Sequence, residues 1–283
     1  MRIIDPENLD DEGGTCPDLL IRPRWLNWVA RVGTSEEEFL QGLSGQERRN
    51  VRLGRRFIQE EDLRLDIGVG LTEALVDEFL VLYAAQIAAM PRGVDFAHRW
   101  RDRMLADTSE HLGAWLFEGS RLVAGSIWRL RTDKGVLQLR FSATAPWQRS
   151  GRVVRALYVA AFQFARDMAL PFASLGNDPS LFGHVVQPGL FAFKGRLGFT
   201  PVPAEVLDPR LAGDFAERFL RLRGLAQPSL VVTRRRGQAP LTWPEAVTEP
   251  TCDLVLLAHE PSVDASAFRI PAMEVSRTLH VPV

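Results

Sequence analysis

The period of apolar and polar positions changes repeatedly along the chain, and each change marks an expected element. Trp25 to Val32 reads as a strand, and Thr34 with Glu37 forms a capping box for a short helix. A second helix is expected over 46–61, with Arg48, Arg52, Arg55 and Arg56 at i, i+4, i+7 and i+8 on one face. Leu63 to Val69 alternates as a strand, and Thr72 opens a long helix to about Met90. Pro91-Arg92-Gly93 breaks that helix before another over 94–107. Strands over 111–117, 121–131 and 136–145, joined by Glu118-Gly119-Ser120 and Asp133-Lys134-Gly135, make an antiparallel meander. Arg152 to Ala169 is an amphipathic helix, with Val153, Val154, Leu157, Ala161, Phe164, Ala165 and Met168 on its apolar side. A strand Phe172 to Leu175, a helix Leu190 to Arg196 and a strand from Phe199 follow. Beyond 205 the pattern weakens to a helix near 212–223 and strands Ser229 to Thr233 and Asp253 to Ala258.

Composition narrows the class. The 283 residues carry 34 Lys+Arg against 35 Asp+Glu, which excludes a chain that coats nucleic acid over its whole surface but leaves room for a local basic patch. Residues 1–20 are acidic, rich in Gly and Pro and without period, the signature of a mobile tail rather than a secretory signal. No apolar run reaches the ~18 residues of a membrane span, so a cytoplasmic protein with no membrane partner is expected. Cys16 and Cys252 stand far apart with no neighbour at metal-ligand spacing, so neither a disulfide framework nor a metal is expected. Arginine is used almost to the exclusion of lysine, and Lys134 and Lys194 are the only lysines.

The order strand, two helices, three antiparallel strands, helix, strand, helix, strand describes a mixed α/β sheet with a crossover helix to a parallel neighbour. Over about 63–203 this order resembles the GNAT (GCN5-related N-acetyltransferase) superfamily, and most of all its FemAB-like and BioF2-like branch. Two segments carry the resemblance further. Leu43-Ser44-Gly45-Gln46-Glu47-Arg48-Arg49-Asn50-Val51-Arg52 is similar to the Arg-rich helix that introduces the acyltransferase domain. Gly189-Leu190-Phe191-Ala192-Phe193-Lys194-Gly195-Arg196-Leu197-Gly198-Phe199 is similar to the branch's Phe-Lys-x-x-Leu-Gly segment. The resemblance implies a GNAT fold: a mostly antiparallel sheet with two splayed strands, flanked by helices. It divides the chain into a tail (1–20), a strand with the Arg-rich helix (21–62), an acyltransferase domain (63–204) and a C-terminal extension (205–283).

The resemblance also implies a site. Main-chain groups around Arg140, Phe141 and Ser142 would pair with the pantetheine arm of acyl-CoA, acetyl-CoA above all, and Asn177, past the end of the neighbouring strand, is a further donor-binding candidate. Gln148-Arg149-Ser150-Gly151-Arg152-Val153 would cradle its phosphates at a helix start, where free N–H groups and the helix dipole favour anions. A plain loop with solvated arginines is the alternative. Lys194 would stabilise the oxyanion formed as an amine attacks the acyl carbonyl, unless it is simply a lysine placed at a helix end. His184 would take the amine's proton, or Asp178 would do so or orient the amine. Tyr83, Gln86, Arg92 and Trp100 are candidates for the acceptor pocket, with core packing as the alternative for Tyr83 and Trp100. The cluster Arg48, Arg49, Arg52, Arg55, Arg56 would hold a CoA phosphate or a tRNA acceptor stem, or form a solvated face. His98, His111, His259 and His280 have no convergent partners, and Arg234-Arg235-Arg236 reads as a solvated turn. Three functions follow: transfer of an acyl group from acyl-CoA to a primary amine of a small molecule or peptide; peptide-bond formation from an aminoacyl-tRNA; or a non-catalytic binding module. The oligomeric state is left open.

Overall fold

A computed structural model describes residues 19–90, 93–146, 151–235, 237, 239, 241–249, 251–260 and 262–282. Its elements are β1 (Leu19–Pro23), β2 (Trp25–Arg31), α1 (Glu36–Gln41), α2 (Gly45–Glu60), β3 (Arg64–Val69), α3 (Glu73–Ala88), α4 (Ala97–Ala106), β4 (His111–Glu118), β5 (Arg121–Arg131), β6 (Val136–Thr144), α5 (Gly151–Asp167), β7 (Phe172–Pro179), β8 (Leu181–Phe182), α6 (Pro188–Arg196), β9 (Thr200–Pro203), β10 (Asp214–Arg218), β11 (Ser229–Arg234), α7 (Glu245–Thr248), β12 (Cys252–Ala258) and β13 (Val275–His280). They fall into two units: Arg31–Gly176, and the described parts of Met1–Ala30 with Asn177–Val283.

In the Arg31–Gly176 unit the sheet runs β3-β4-β5-β6-β7, with antiparallel neighbours up to β6 and a parallel β6-β7 pair. Gly119 and Gly135 adopt positive φ (59° and 64°) and close the two hairpins of the meander, as their turn sequences require. Strand β4 is buried almost throughout because helices cover both faces. Trp115 and Phe117 join Phe79, Leu80 and Tyr83 of α3 and Met104 of α4, while Leu116 joins Val123, Ala145, Val153 and the α2 residues Phe57 and Ile58. Each large apolar side chain taken out of water in this way contributes roughly 1.5–3 kcal/mol. Helices α2 and α5 approach so closely that a Cβ at Gly54 would lie 2.2 Å from the Arg152 carbonyl oxygen. Beside that contact, Glu47 and Arg155 form an ion pair of 2.5 Å.

Side-chain caps set the helix starts. Thr72 accepts from Leu75 N (3.4 Å) and opens α3, as expected. The first capping box is displaced by one residue: Ser35 accepts from Glu38 N (3.1 Å), and Glu38 accepts from Thr34 N (2.7 Å). The extended backbone required of a cap is found at Ser35, with φ −142° and ψ 163°.

The other unit holds the pairs β1-β10 and β2-β9, both antiparallel, and the sheet β13-β12-β11-β8. The helix expected over 212–223 is instead strand β10. Asp214 to Arg218 pairs with β1, where Arg22 binds Glu217 (2.8 Å) and lies 4.6 Å over the Phe215 ring. A partner almost 200 residues away thus overrides the local helical pattern. The Arg234-Arg235-Arg236 reading also changes: Arg234 is half-buried between Asp214 (2.7 Å) and Glu205 (2.6 Å), Arg235 meets Asp253 (3.1 Å), and Arg236 lies outside the described residues.

Candidate functional site

Strand β6 carries nine residues but pairs with β7 at only three, Val136↔Phe172, Leu137↔Ala173 and Gln138↔Ser174. Two local devices end the ladder there. On β6, Leu139 opposes Trp128 and Phe141 opposes Ile127, so Arg140 is the extra residue of a β-bulge, which bends the strand and raises its twist. On β7, Gly176 has φ 76°, and a Cβ on it would stand 3.1 Å from Leu139 O, so only glycine fits this turn of the chain. The Gly176 N–H is turned back onto Ser174 Oγ (3.1 Å).

Past the bulge the outer edge of β6 has a different partner. Ala145 N donates to Val123 O (2.8 Å), so this parity of residue faces β5 and the alternate residues Ser142 and Thr144 present their main-chain groups to the opposite side. There Gln86 of α3 donates from Nε2 to Ser142 O (3.2 Å) and accepts from Thr144 N (3.0 Å) at Oε1. One side-chain amide thereby makes the two bonds that a single residue of a parallel neighbour strand would make. The open edge is an amide-binding rung, and Gln86 fills it.

The surrounding groups fix this geometry. Tyr83, one turn before Gln86, is buried against Phe79 and Phe141, the latter at 5.7 Å edge to face, and takes the core role. Burial, with a smaller effect from Asp95, pushes its hydroxyl above the usual tyrosine range. Trp100 packs against the same cluster, and the Arg140 guanidinium lies 4.7 Å from its ring centroid. On the other face of β6, the buried Tyr158 hydroxyl hydrogen-bonds the Ser142 side chain, and burial pushes its pKa up to about 12. Of the expected phosphate turn, Gln148, Arg149 and Ser150 lie outside the described residues, as does Arg92. Gly151 begins α5 and Arg152 is exposed beside it. Val153 puts its side chain into the core, so only its main chain is left for a ligand. The arginine face of α2 is partly neutralised: Arg55 binds Glu36, Arg56 binds Glu60 (2.7 Å), and Arg48 caps the Leu43 carbonyl (2.8 Å).

The second unit gathers three of the expected residues. Lys194 Nζ lies 2.7 Å from Asp178 Oδ2, with side chains only 9% and 10% exposed, so the two residues expected to act separately form one buried ion pair. The ammonium also stands 6.0 Å over the Trp28 ring, which Phe182 and Phe191 enclose edge to face. Next in sequence to Asp178, Asn177 accepts from Asn27 Nδ2 at 2.5 Å. His184 is exposed on the loop before α6, and its carbonyl accepts from Gln187 (3.4 Å). Asn27 and Trp28 escaped the sequence reading because they sit inside a run that reads simply as strand. The buried Trp28 indole N–H has no acceptor among the described residues, a deficit of about 1–3 kcal/mol for such a group. Among the described residues no group of three or more His, Cys, Asp or Glu side chains is placed to hold a metal ion, and no helix is long and apolar enough to cross a membrane.

No protein-family model and no curated protein matches the sequence. Solved structures similar to the chain include FemX, at 10% identity and a TM-score of 0.49 over 70% of this chain and 62% of that one. They also include L-PGS from Bacillus licheniformis, at 13% identity and a TM-score of 0.41 over 57% of this chain and 47% of that one. A third is a putative acetyltransferase of the GNAT family from Desulfovibrio desulfuricans, at 17% identity and a TM-score of 0.30 over 38% of this chain and 67% of that one. The chain thus spans about half the length of the L-PGS structure and three fifths of FemX.

Proposed function

We propose that the chain is an acyltransferase that moves an acyl group from acyl-CoA to a primary amine. The observation that carries this reading is the unzipped edge of β6. Its rung at Ser142 O and Thr144 N accepts an amide, and the pantetheine arm of CoA is a thin chain with two amides. The donor enters by taking the place of the Gln86 carboxamide, an exchange of like hydrogen bonds that costs little net free energy. The start of α5, with the Gly151 and Arg152 main chain and the exposed Arg152 side chain, is suited to a phosphate. The amine nitrogen then attacks the thioester carbon. The C–N bond forms, the C–S bond breaks with its electron pair going to sulfur, and the proton lost by the amine passes by way of a base to the thiolate or solvent. For the other unit, the family resemblance implies an oxyanion-stabilising role for Lys194, with Asp178 holding its ammonium in place, and a base role for His184.

The aminoacyl-tRNA alternative draws on the same segment around Lys194 and on Arg49 and Arg52, which remain exposed on α2. Thermal unfolding in the presence of acetyl-CoA, longer acyl-CoAs and a charged-tRNA mimic separates the readings, because a ligand at 100 times its dissociation constant stabilises the fold by ~2.7 kcal/mol. A shift with CoA esters alone is the expected result. A shift with the RNA alone transfers the assignment to the peptide-bond-forming reaction, and no shift with any donor leaves a binding module.

A further inference from the structure

The Arg31–Gly176 unit holds a concentration of positive charge that the donor edge does not use. Arg129 and Arg131 of β5 are neutralised by Glu110 (2.9 Å) and Asp133 (3.6 Å). Arg103 of α4 and Arg140 at the β6 bulge have no carboxylate within ion-pair distance among the described residues. Their guanidinium carbons both stand 4.7 Å from the centroid of the Trp100 ring. Arg140 is half-buried and lies 6.0 Å from the Phe141 ring. Burial first, then Arg129, Arg103 and Arg131, hold its pKa below the usual arginine range. A half-buried cation crowded by like charges is an unfavourable arrangement unless a counter-charge completes it. Guanidinium forks against an indole face offer planar, bidentate recognition of paired oxygens.

We infer that Arg103, Arg140 and Trp100 form an anion subsite that holds a carboxylate or phosphate of the acceptor. The acceptor is therefore an anionic amine, such as an amino acid, a peptide with a free carboxylate or a phosphorylated amine. The inference rests on the acyltransfer reading for the word acceptor, and on the arginine geometry for the anion. Arg140 precedes Ser142 by two residues, about 7 Å along a strand, so an anion held there sets the attached amine within a short reach of a donor lying on the β6 edge.

The test is calorimetric titration of the full chain with inorganic phosphate and, separately, succinate, at low ionic strength and with no acyl donor or turnover involved. Saturable binding is expected, weakened at least tenfold by Arg140→Gln and by Arg103→Gln and left unchanged by Arg64→Gln. Arg64 is an exposed arginine paired with Asp66 at 2.7 Å. The stronger of the two probes identifies the anion as phosphate or carboxylate. Unfolding of Arg140→Gln guards against a trivial loss: its Tm at low salt is expected to equal or exceed that of the parent chain, while the rise that phosphate or succinate causes in the parent disappears. Equal affinity in Arg140→Gln, an equal loss in Arg64→Gln, or a drop in Tm with no anion effect in the parent would each overturn the subsite. Repeating the titration with CoA present distinguishes the source. Simultaneous binding supports an acceptor anion, and competition assigns the arginines to the phosphates of CoA and overturns the acceptor assignment. Because binding is read without catalysis, failure of the acyltransfer reading leaves this result standing, and the converse holds as well.

Discussion

Replacing Lys194 by Met tests whether the Lys194–Asp178 pair is a support, a chemical group or both. The pair spans 2.7 Å and both side chains are about nine-tenths buried, so the substitution strands a carboxylate that water can barely reach. Removing one partner of such a pair typically costs about 3–5 kcal/mol, and the remaining exposure places this case near the lower end of that range. Asp178→Asn leaves the ammonium over the Trp28 ring and costs a similar amount. The double variant Lys194→Met/Asp178→Asn strands no charge and recovers most of the loss, so the coupling energy is expected to be about 2 kcal/mol or more. Urea unfolding followed by tryptophan fluorescence gives each corner of the cycle by linear extrapolation. Single variants within about 0.5 kcal/mol of the parent would show that the pair is solvated and refute the reasoning. Turnover separates the second role: with an acyl donor the double variant, though stable, is expected to be at least tenfold slower with little change in donor affinity. Recovery of rate together with stability would make the pair a support only.

Helix packing and a buried histidine offer two more tests. Gly54→Ala drives a methyl group to within 2.2 Å of the Arg152 main chain, so α2 and α5 are forced apart and the chain loses roughly 1–3 kcal/mol in the same urea assay; a neutral result would contradict the close helix packing. His111 is held below its ordinary pKa of ~6.5, by burial first and then by Arg129 and Arg140 against the opposing pull of the Asp107 carbonyl and Glu110. The unfolded chain therefore takes up this proton more readily, and the contribution of His111 is complete above about pH 6.5 and lost as the pH falls below it. His111→Gln flattens that part of the stability profile, and an NMR titration of His111 at or above 6.5 would reverse the sign.

Much of the meander was legible because its signals are local: Thr72 caps α3, glycine turns sit between alternating runs, and the apolar side of α5 repeats with helical period. Strand β10 was not, since Asp214 to Arg218 becomes a strand only through β1 and the Arg22–Glu217 pair. The site divides in the same way. Gln86, Ser142, Arg140, Trp100, Asp178 and Lys194 could be named from the sequence, but their relations could not. That Gln86 satisfies the β6 edge depends on where α3 crosses the sheet, and that Lys194 and Asp178 neutralise one another depends on how β7 and α6 meet. Gly176, Arg103 and Tyr158 gave no signal, because a single glycine, arginine or tyrosine becomes informative only when its neighbour in space is known.

Exchange of Gln86 for a donor amide at the β6 edge is read by amide-resolved NMR of the Thr144 N–H and the Gln86 side-chain NH2 during titration with acetyl-CoA. Both resonances are expected to shift together and saturably, with the Gln86 NH2 moving toward its solvent position, and Gln86→Ala is expected to tighten CoA binding. Saturable CoA binding with both resonances unmoved would place the donor elsewhere than on the β6 edge.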